Sequence, residues 1–242
     1  GVGVRLPDWM FSGQAIAAID LRLPDGATPL LRLSSDLAGA RLALPPLGWV
    51  LATDQTGQLE ADITLGPTPA VTRLSLNAGA LTLEGRIDLA DGGGFDRLVA
   101  DRFRLANWLD VTGLVQGRAA AAPLIQITGG TLDLRGAPQI GPVGPPDGAG
   151  GGPITVALDR LQISEGIALT GLSADLTADA GLSGQFRGRV NGEALVSGTL
   201  VPTATGPAVR VRADDGGAVL RSAGVFQTSY GGAMELILQA TG

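Results

Sequence analysis

"GQLEADITLG", residues 57–66, decides the fold class. Leu59, Ala61, Ile63 and Leu65 alternate with Glu60, Asp62 and Thr64. A period of two puts apolar side chains on one side of an extended chain and charged or hydroxylated ones on the other. The same alternation returns in "ALTLEGRIDLA" (80–90). There Leu81, Leu83, Ile87 and Leu89 share a side, Gly85 is in register, and Thr82, Glu84, Arg86 and Asp88 oppose them. Further on, "PAVRVRADD" (207–215) sets Val209, Val211 and Ala213 against Arg210 and Arg212. "AMELILQA" (233–240) sets Met234, Leu236 and Leu238 against Glu235, Ile237 and Gln239.

Weaker alternation runs through 15–23, 28–34, 39–44, 71–77, 98–105, 124–128, 131–135, 154–158, 160–164, 167–170, 172–178, 185–190 and 194–201. Ile125 and Ile127, Leu132 and Leu134, and Ile154, Val156 and Leu158 supply the apolar side of three of these. The segments recur every 8–14 residues or so, with Gly, Pro, Asp or Asn between them, which favours antiparallel meanders. Long helices between strands are missing from the pattern, so a parallel βαβ sheet is disfavoured. The expectation is an all-β chain whose antiparallel sheet is wet on one side only. Its apolar side must be covered by another sheet, a helix, or something that is not protein.

Two stretches break the rhythm. "GAPQIGPVGPPDGAGGGP" (136–153) has almost no packing side chains and reads as a flexible Gly/Pro-rich loop between segments 1–135 and 154–242. A phosphate-cradling loop would need a Lys and a following helix, and neither is here. "RADDGGAVLRSAGVFQTSYGGAMEL" (212–236) reads as one short helix over about 215–224. Asp214 or Asp215 can cap its first turn. Ala218, Val219, Leu220 and Ala223 form an apolar side, and Gly224 can take the left-handed position that ends it. Two turns are too few to stand alone, so the helix must dock on the sheet as a cap or plug. "SSDLAG" (34–39) is a weaker echo, where Ser34, Ser35 or Asp36 can cap a turn.

Composition narrows the function. Of 242 residues 45% are apolar but only 4% aromatic, so burial rests on Leu, Ile, Val and Ala. The net charge is −6 and all 17 basic residues are Arg, which speaks against nucleic-acid binding. No His, Lys or Cys is present. A Ser-His-Asp triad, a His or thiolate metal site, a Schiff base and a thiol nucleophile are therefore impossible. No catalytic residue, metal ligand or cofactor is expected. Asp214-Asp215 reads as a helix start, and Glu60, Asp62, Glu84 and Asp88 as solvated charge. No stretch approaches the roughly 20 apolar residues of a membrane-spanning helix. The abrupt ends, "GVGVRLPDW" and "ILQATG", read as those of a piece of a longer protein.

Three segments resemble the large AsmA-like envelope proteins of the YhdP type, a group of bridge-like lipid transfer proteins. "SSDLAGARLALPPLGW" (34–49) is similar to their polar-to-LPxPLG passage. "LDVTGLVQGRAAAAPLIQITGGTLDLR" (109–135) is similar to a Gly-punctuated strand pair. Residues 212–236 resemble a D-x-G-x-x-L-x-x-x-G…G-G-x-x-x-L signature, carried by Asp214 or Asp215, Gly217, Leu220, Gly224, Gly231, Gly232 and Leu236. The resemblance implies an elongated, curved antiparallel sheet folded over into an apolar groove. It also implies a periplasm-facing protein of a Gram-negative cell envelope, held to the inner membrane by an anchor outside this sequence. Its implied partners are phospholipid acyl chains, carried between inner and outer membranes, together with other envelope proteins. The aliphatic positions named above are then the groove lining. The alternative is a structural or adhesive β-sandwich or β-solenoid in which the same residues fill a closed core. A solenoid should show a tighter repeat, and a membrane barrel should show aromatic girdles.

Overall fold

The computed structural model describes residues 10–90, 94–119, 121–138, 151–179, 181–203 and 206–239. The chain is all-β with one short α-helix among these residues. A 3-stranded sheet has the order β1-β4-β5, and a 14-stranded sheet the order β17-β16-β15-β14-β13-β12-β11-β10-β9-β8-β7-β6-β3-β2. Strands β2 and β17 are its two edges. The chain divides into two compact units, Gly1–Ala106 with Thr112–Arg118, and Asn107–Val111 with Ala119–Gly242.

The first unit holds β1 (Phe11–Gly13), β2 (Ala17–Arg22), β3 (Leu30–Ser35), β4 (Ala40–Leu44), β5 (Trp49–Leu51), β6 (Gln58–Thr64), β7 (Ala70–Ala78), β8 (Leu81–Leu89) and β9 (Phe95–Leu105). Within the large sheet the successive strands pair antiparallel, as short connections require. In "SSDLAG" the Ser35 hydroxyl accepts from Leu37 N–H at 3.1 Å and the Asp36 carboxylate from Ala38 N–H at 3.0 Å. Their side chains hold a turn, and no α-helix follows. Pro45–Leu47 form one 3₁₀ turn, and Gly48 at φ 63° reverses the chain into β5. This small sheet carries Ala40, Ala43 and Leu51, which are as fully buried as Ala78 and Leu81 of the large sheet.

The second unit holds β11 (Ala121–Asp133), β12 (Pro153–Gln162), β13 (Ala168–Thr177), β14 (Ser183–Val190), β15 (Ala194–Thr203), β16 (Gly206–Ala213), the helix α1 (Gly216–Ser222) and β17 (Met234–Gln239). β10 (Leu109–Arg118) is shared between the units. β11 and β12 depart from the antiparallel expectation and run parallel. A parallel neighbour needs a long return connection, and the Gly/Pro-rich stretch supplies the length. Most of that stretch, 139–150, lies outside the described residues, and Pro153 already belongs to β12.

Strand ends differ from the pattern: segments 154–158 and 160–164 are one strand, β12, and two further strands carry glycine inside them. The segments 124–128 and 131–135 are one strand, β11, with Gly130 at φ 108°. Segments 167–170 and 172–178 are also one strand, β13, bulged between Thr170 and Ser173. A bulge absorbs the extra residue without ending the ladder. β1, β5 and β10 lie outside the alternating segments, because their apolar contrast is short or interrupted.

Candidate apolar binding face

Strand register gathers the alternating residues into rows that cross each unit. In the first, one row is Leu21–Leu31–Ile63–Val71–Ile87–Leu98. A second is Ile19–Leu33–Ala61–Leu74–Gly85–Ala100, and a third Leu59–Leu76–Leu83–Phe103. In the second unit one row is Ile125–Ile154–Leu176–Gly184–Leu200–Val209–Leu238. The next is Ile127–Val156–Ala174–Phe186–Gly198–Val211–Leu236. A further row is Leu132–Leu161–Leu169–Val190–Ala194. Because side chains alternate, a one-residue slip anywhere would turn a strand's apolar set to the wet side.

The opposite faces are polar. Asp20–Arg32–Asp62–Arg73 cross the first unit in register. There Arg32 Nε donates to Asp62 Oδ1 at 2.8 Å, and Arg97 Nη2 to Asp88 Oδ2 at 2.6 Å. The hydrogen bond from Arg32 holds the Asp62 carboxyl below its usual range. These pairs are exposed and contribute little stability; their role is to keep this side wet.

The candidate lining residues differ in burial and placement. Leu81, Leu89, Ile154 and Leu158 are buried by the protein itself. Leu59, Ile63, Leu83, Ile87, Ile125, Ile127, Leu132, Val156, Val209, Val211 and Met234 are half-buried, so their face keeps apolar area uncovered. Leu236 and Leu238 on the edge strand are 45% and 50% exposed. Two lie past strand ends: Leu65 donates its N–H to Pro29 O at 2.9 Å, and Leu134 is exposed beyond β11. Leu74, Leu76 and Phe103, and Leu176, Phe186 and Leu200, were missing from the sequence candidates and sit in the same rows. Their signal was the same alternation at lower contrast; Phe186, for instance, stands between Gln185 and Arg187.

The helix closes part of the second unit's apolar face. Asp215 caps it, accepting from Ala218 N–H at 2.8 Å, while Asp214 is exposed and outside it. Gly224 at φ 71° ends it: Gly224 N–H donates to Arg221 O and Val225 N–H to Leu220 O, the paired bonds of a left-handed C-terminal cap. Gly216 and Gly217 donate to Gly232 O and Gly231 O, and a Cβ on Gly217 would stand 2.7 Å from the Tyr230 backbone. The two glycines therefore let the helix start against the segment before β17. The far end is tied to the β14–β15 turn: Asn191 Nδ2 donates to Ser222 O, and Ser222 Oγ to Glu193 Oε2 at 2.9 Å. α1 contacts β15, and Val219, Val196, Ala194 and Ala213 are all buried. Leu220, on the same expected apolar side, is half-buried and lines a shallow recess with Tyr230 and Met234.

Among the described residues no group of three or more acidic side chains is placed to hold a metal ion, and no helix is long and apolar enough to cross a membrane. Comparison of the chain with protein-family models, curated proteins and solved structures finds no match.

Proposed function

We propose that the apolar sheet faces shelter hydrocarbon chains, and that the protein serves phospholipid transport. The observation that carries this is the half-buried state of the cross-strand apolar rows. A sheet whose core is filled by its own chain buries such rows; here rows of mostly aliphatic residues cross six or seven strands, and most of their members retain uncovered area. Extended apolar surface of that kind marks a binding face. Each buried methylene contributes about 0.8 kcal/mol, so a 16-carbon acyl chain in water costs on the order of 12 kcal/mol. A strip of Leu, Ile and Val removes most of that cost and, having few rings, imposes little shape selection.

The resemblance to AsmA-like envelope proteins supports the setting: the periplasmic side of a Gram-negative inner membrane, with acyl chains moving toward the outer membrane. The absence of His, Lys and Cys supports a non-enzymatic role. The test is to express the chain in a Gram-negative host, purify it without detergent and analyse it by native and lipid mass spectrometry. Stoichiometric phospholipid, lost in Val156→Asp, is the expected result. A structural or adhesive module with a self-filled core would carry none.

A further inference from the structure

The polar face of the second unit carries a feature that the acyl-chain reading does not use. Two polar rows lie side by side, Ser173–Arg187–Ser197–Arg212–Glu235 and Asp175–Gln185–Thr199–Arg210–Ile237. Between Leu195 and Val201 the middle strand, β15, presents the short hydroxyls of Ser197 and Thr199. The strands on either side present long side chains, Arg187 and Gln185 on β14, Arg210 and Arg212 on β16. Short residues between long ones make a trough, and these residues line a cleft of about 470 Å³. Strand spacing puts the backbones of Arg187 and Arg212 about 10 Å apart, close enough for both guanidinium groups to reach one small anion above Ser197.

The charge differs from that of the first unit's polar face. There Arg32, Arg97 and Arg86 each have their own carboxylate, at 2.8, 2.6 and 3.7 Å. In the trough Arg210 and Arg212 share one oxygen, Glu235 Oε1, at 3.2 and 3.4 Å. The Arg187 side chain makes no ion pair or hydrogen bond among the described residues. Asp175 is the one carboxylate within the cleft lining. Three guanidinium groups against two carboxylates leave an excess positive charge in a chain of net charge −6. Guanidinium groups suit oxyanions because their planar fork can donate two parallel hydrogen bonds, and the hydroxyls of the floor add donors.

We propose that this trough binds a phosphate group, with Arg187 and Arg212 as the clamping pair, Arg210 beside them, and Ser197 and Thr199 as floor donors. Glu235 competes for the same guanidinium groups. The phosphate belongs either to a soluble phosphomonoester or to a lipid headgroup. The test titrates the full 242-residue chain with glycerol 3-phosphate and inorganic phosphate while following backbone amide resonances. A parallel arm measures binding to vesicles of phosphatidylcholine with and without phosphatidylglycerol. Saturable shifts at Ser197 and Thr199, with Ser75 of the first unit unmoved, are expected. Losing one charge-assisted hydrogen bond in Arg187→Ala should weaken binding about tenfold or more, with Arg187→Lys intermediate. Glu235→Gln should strengthen it. Response to the soluble compounds alone assigns a soluble source, and Arg187-dependent binding to the anionic vesicles assigns a headgroup. Absence of both, or equal binding by wild type and Arg187→Ala with unchanged melting temperature, overturns the proposal. Arg187→Ala is expected to retain co-purified phospholipid, so failure here leaves the apolar-face reading standing.

Discussion

Gly198 shows how closely the apolar rows are fitted. It stands in register between Phe186 and Val211, and the Phe186 ring lies over it. A Cβ there would meet Arg210 O at 2.3 Å and Phe186 Cζ at 2.4 Å. The first contact is with backbone, so a rotamer change alone cannot relieve it. Gly198→Ala is expected to destabilise the protein by roughly 1–3 kcal/mol, the usual range for overpacking, read as a lowered denaturant midpoint with unchanged slope. The requirement was illegible in the sequence. "VSGTL" offers Gly198 as a strand interruption, and only register reveals the ring above it. Asp215 was more legible, because an acidic residue before a short apolar run has few other uses. Choosing it over Asp214 needed the hydrogen bond to Ala218.

At the scale of elements, the existence of every strand but β1, β5 and β10 followed from alternation, and strand continuity did not. Gly130 and Gly171 looked like ends because glycine usually punctuates strands. Positive φ and neighbouring ladder bonds instead make them interior irregularities of β11 and β13. The parallel β11–β12 pair was equally hidden, since alternation carries no direction. The helix and its apolar side were legible, but which residue of that side goes deepest was not: Val219 is 8% exposed and Leu220 half-buried. Val219→Asp should therefore cost more than Leu220→Asp, about 2–4 kcal/mol for burying an unpaired charge at a well-packed site. Thermal melts of the two variants compare them directly. Equal loss in both would mean that the helix docks through Leu220 as well.

Across the whole molecule, both units divide their residues the same way, with aliphatic rows on one face and paired or excess charge on the other. Hydrophobic alternation made that division readable, because a period of two specifies face as well as strand. Which rows the protein covers itself was not readable. Leu81 and Leu83 are two residues apart on one strand, yet the first is 2% exposed and the second half-buried. The edges differ from the interior: Ile19 and Leu21 on β2, and Leu236, Ile237 and Leu238 on β17, are exposed, with no strand beyond them among the described residues.

Photo-crosslinking decides most directly whether the aliphatic face, and not the charged one, holds lipid. A benzophenone amino acid is placed in living Gram-negative cells at Val156 in one variant and at its strand neighbour Thr155 in another. Irradiation should yield phospholipid adducts at Val156 and none at Thr155. Equal yields at both positions, or no adduct at Val156, would contradict hydrocarbon binding on the apolar rows.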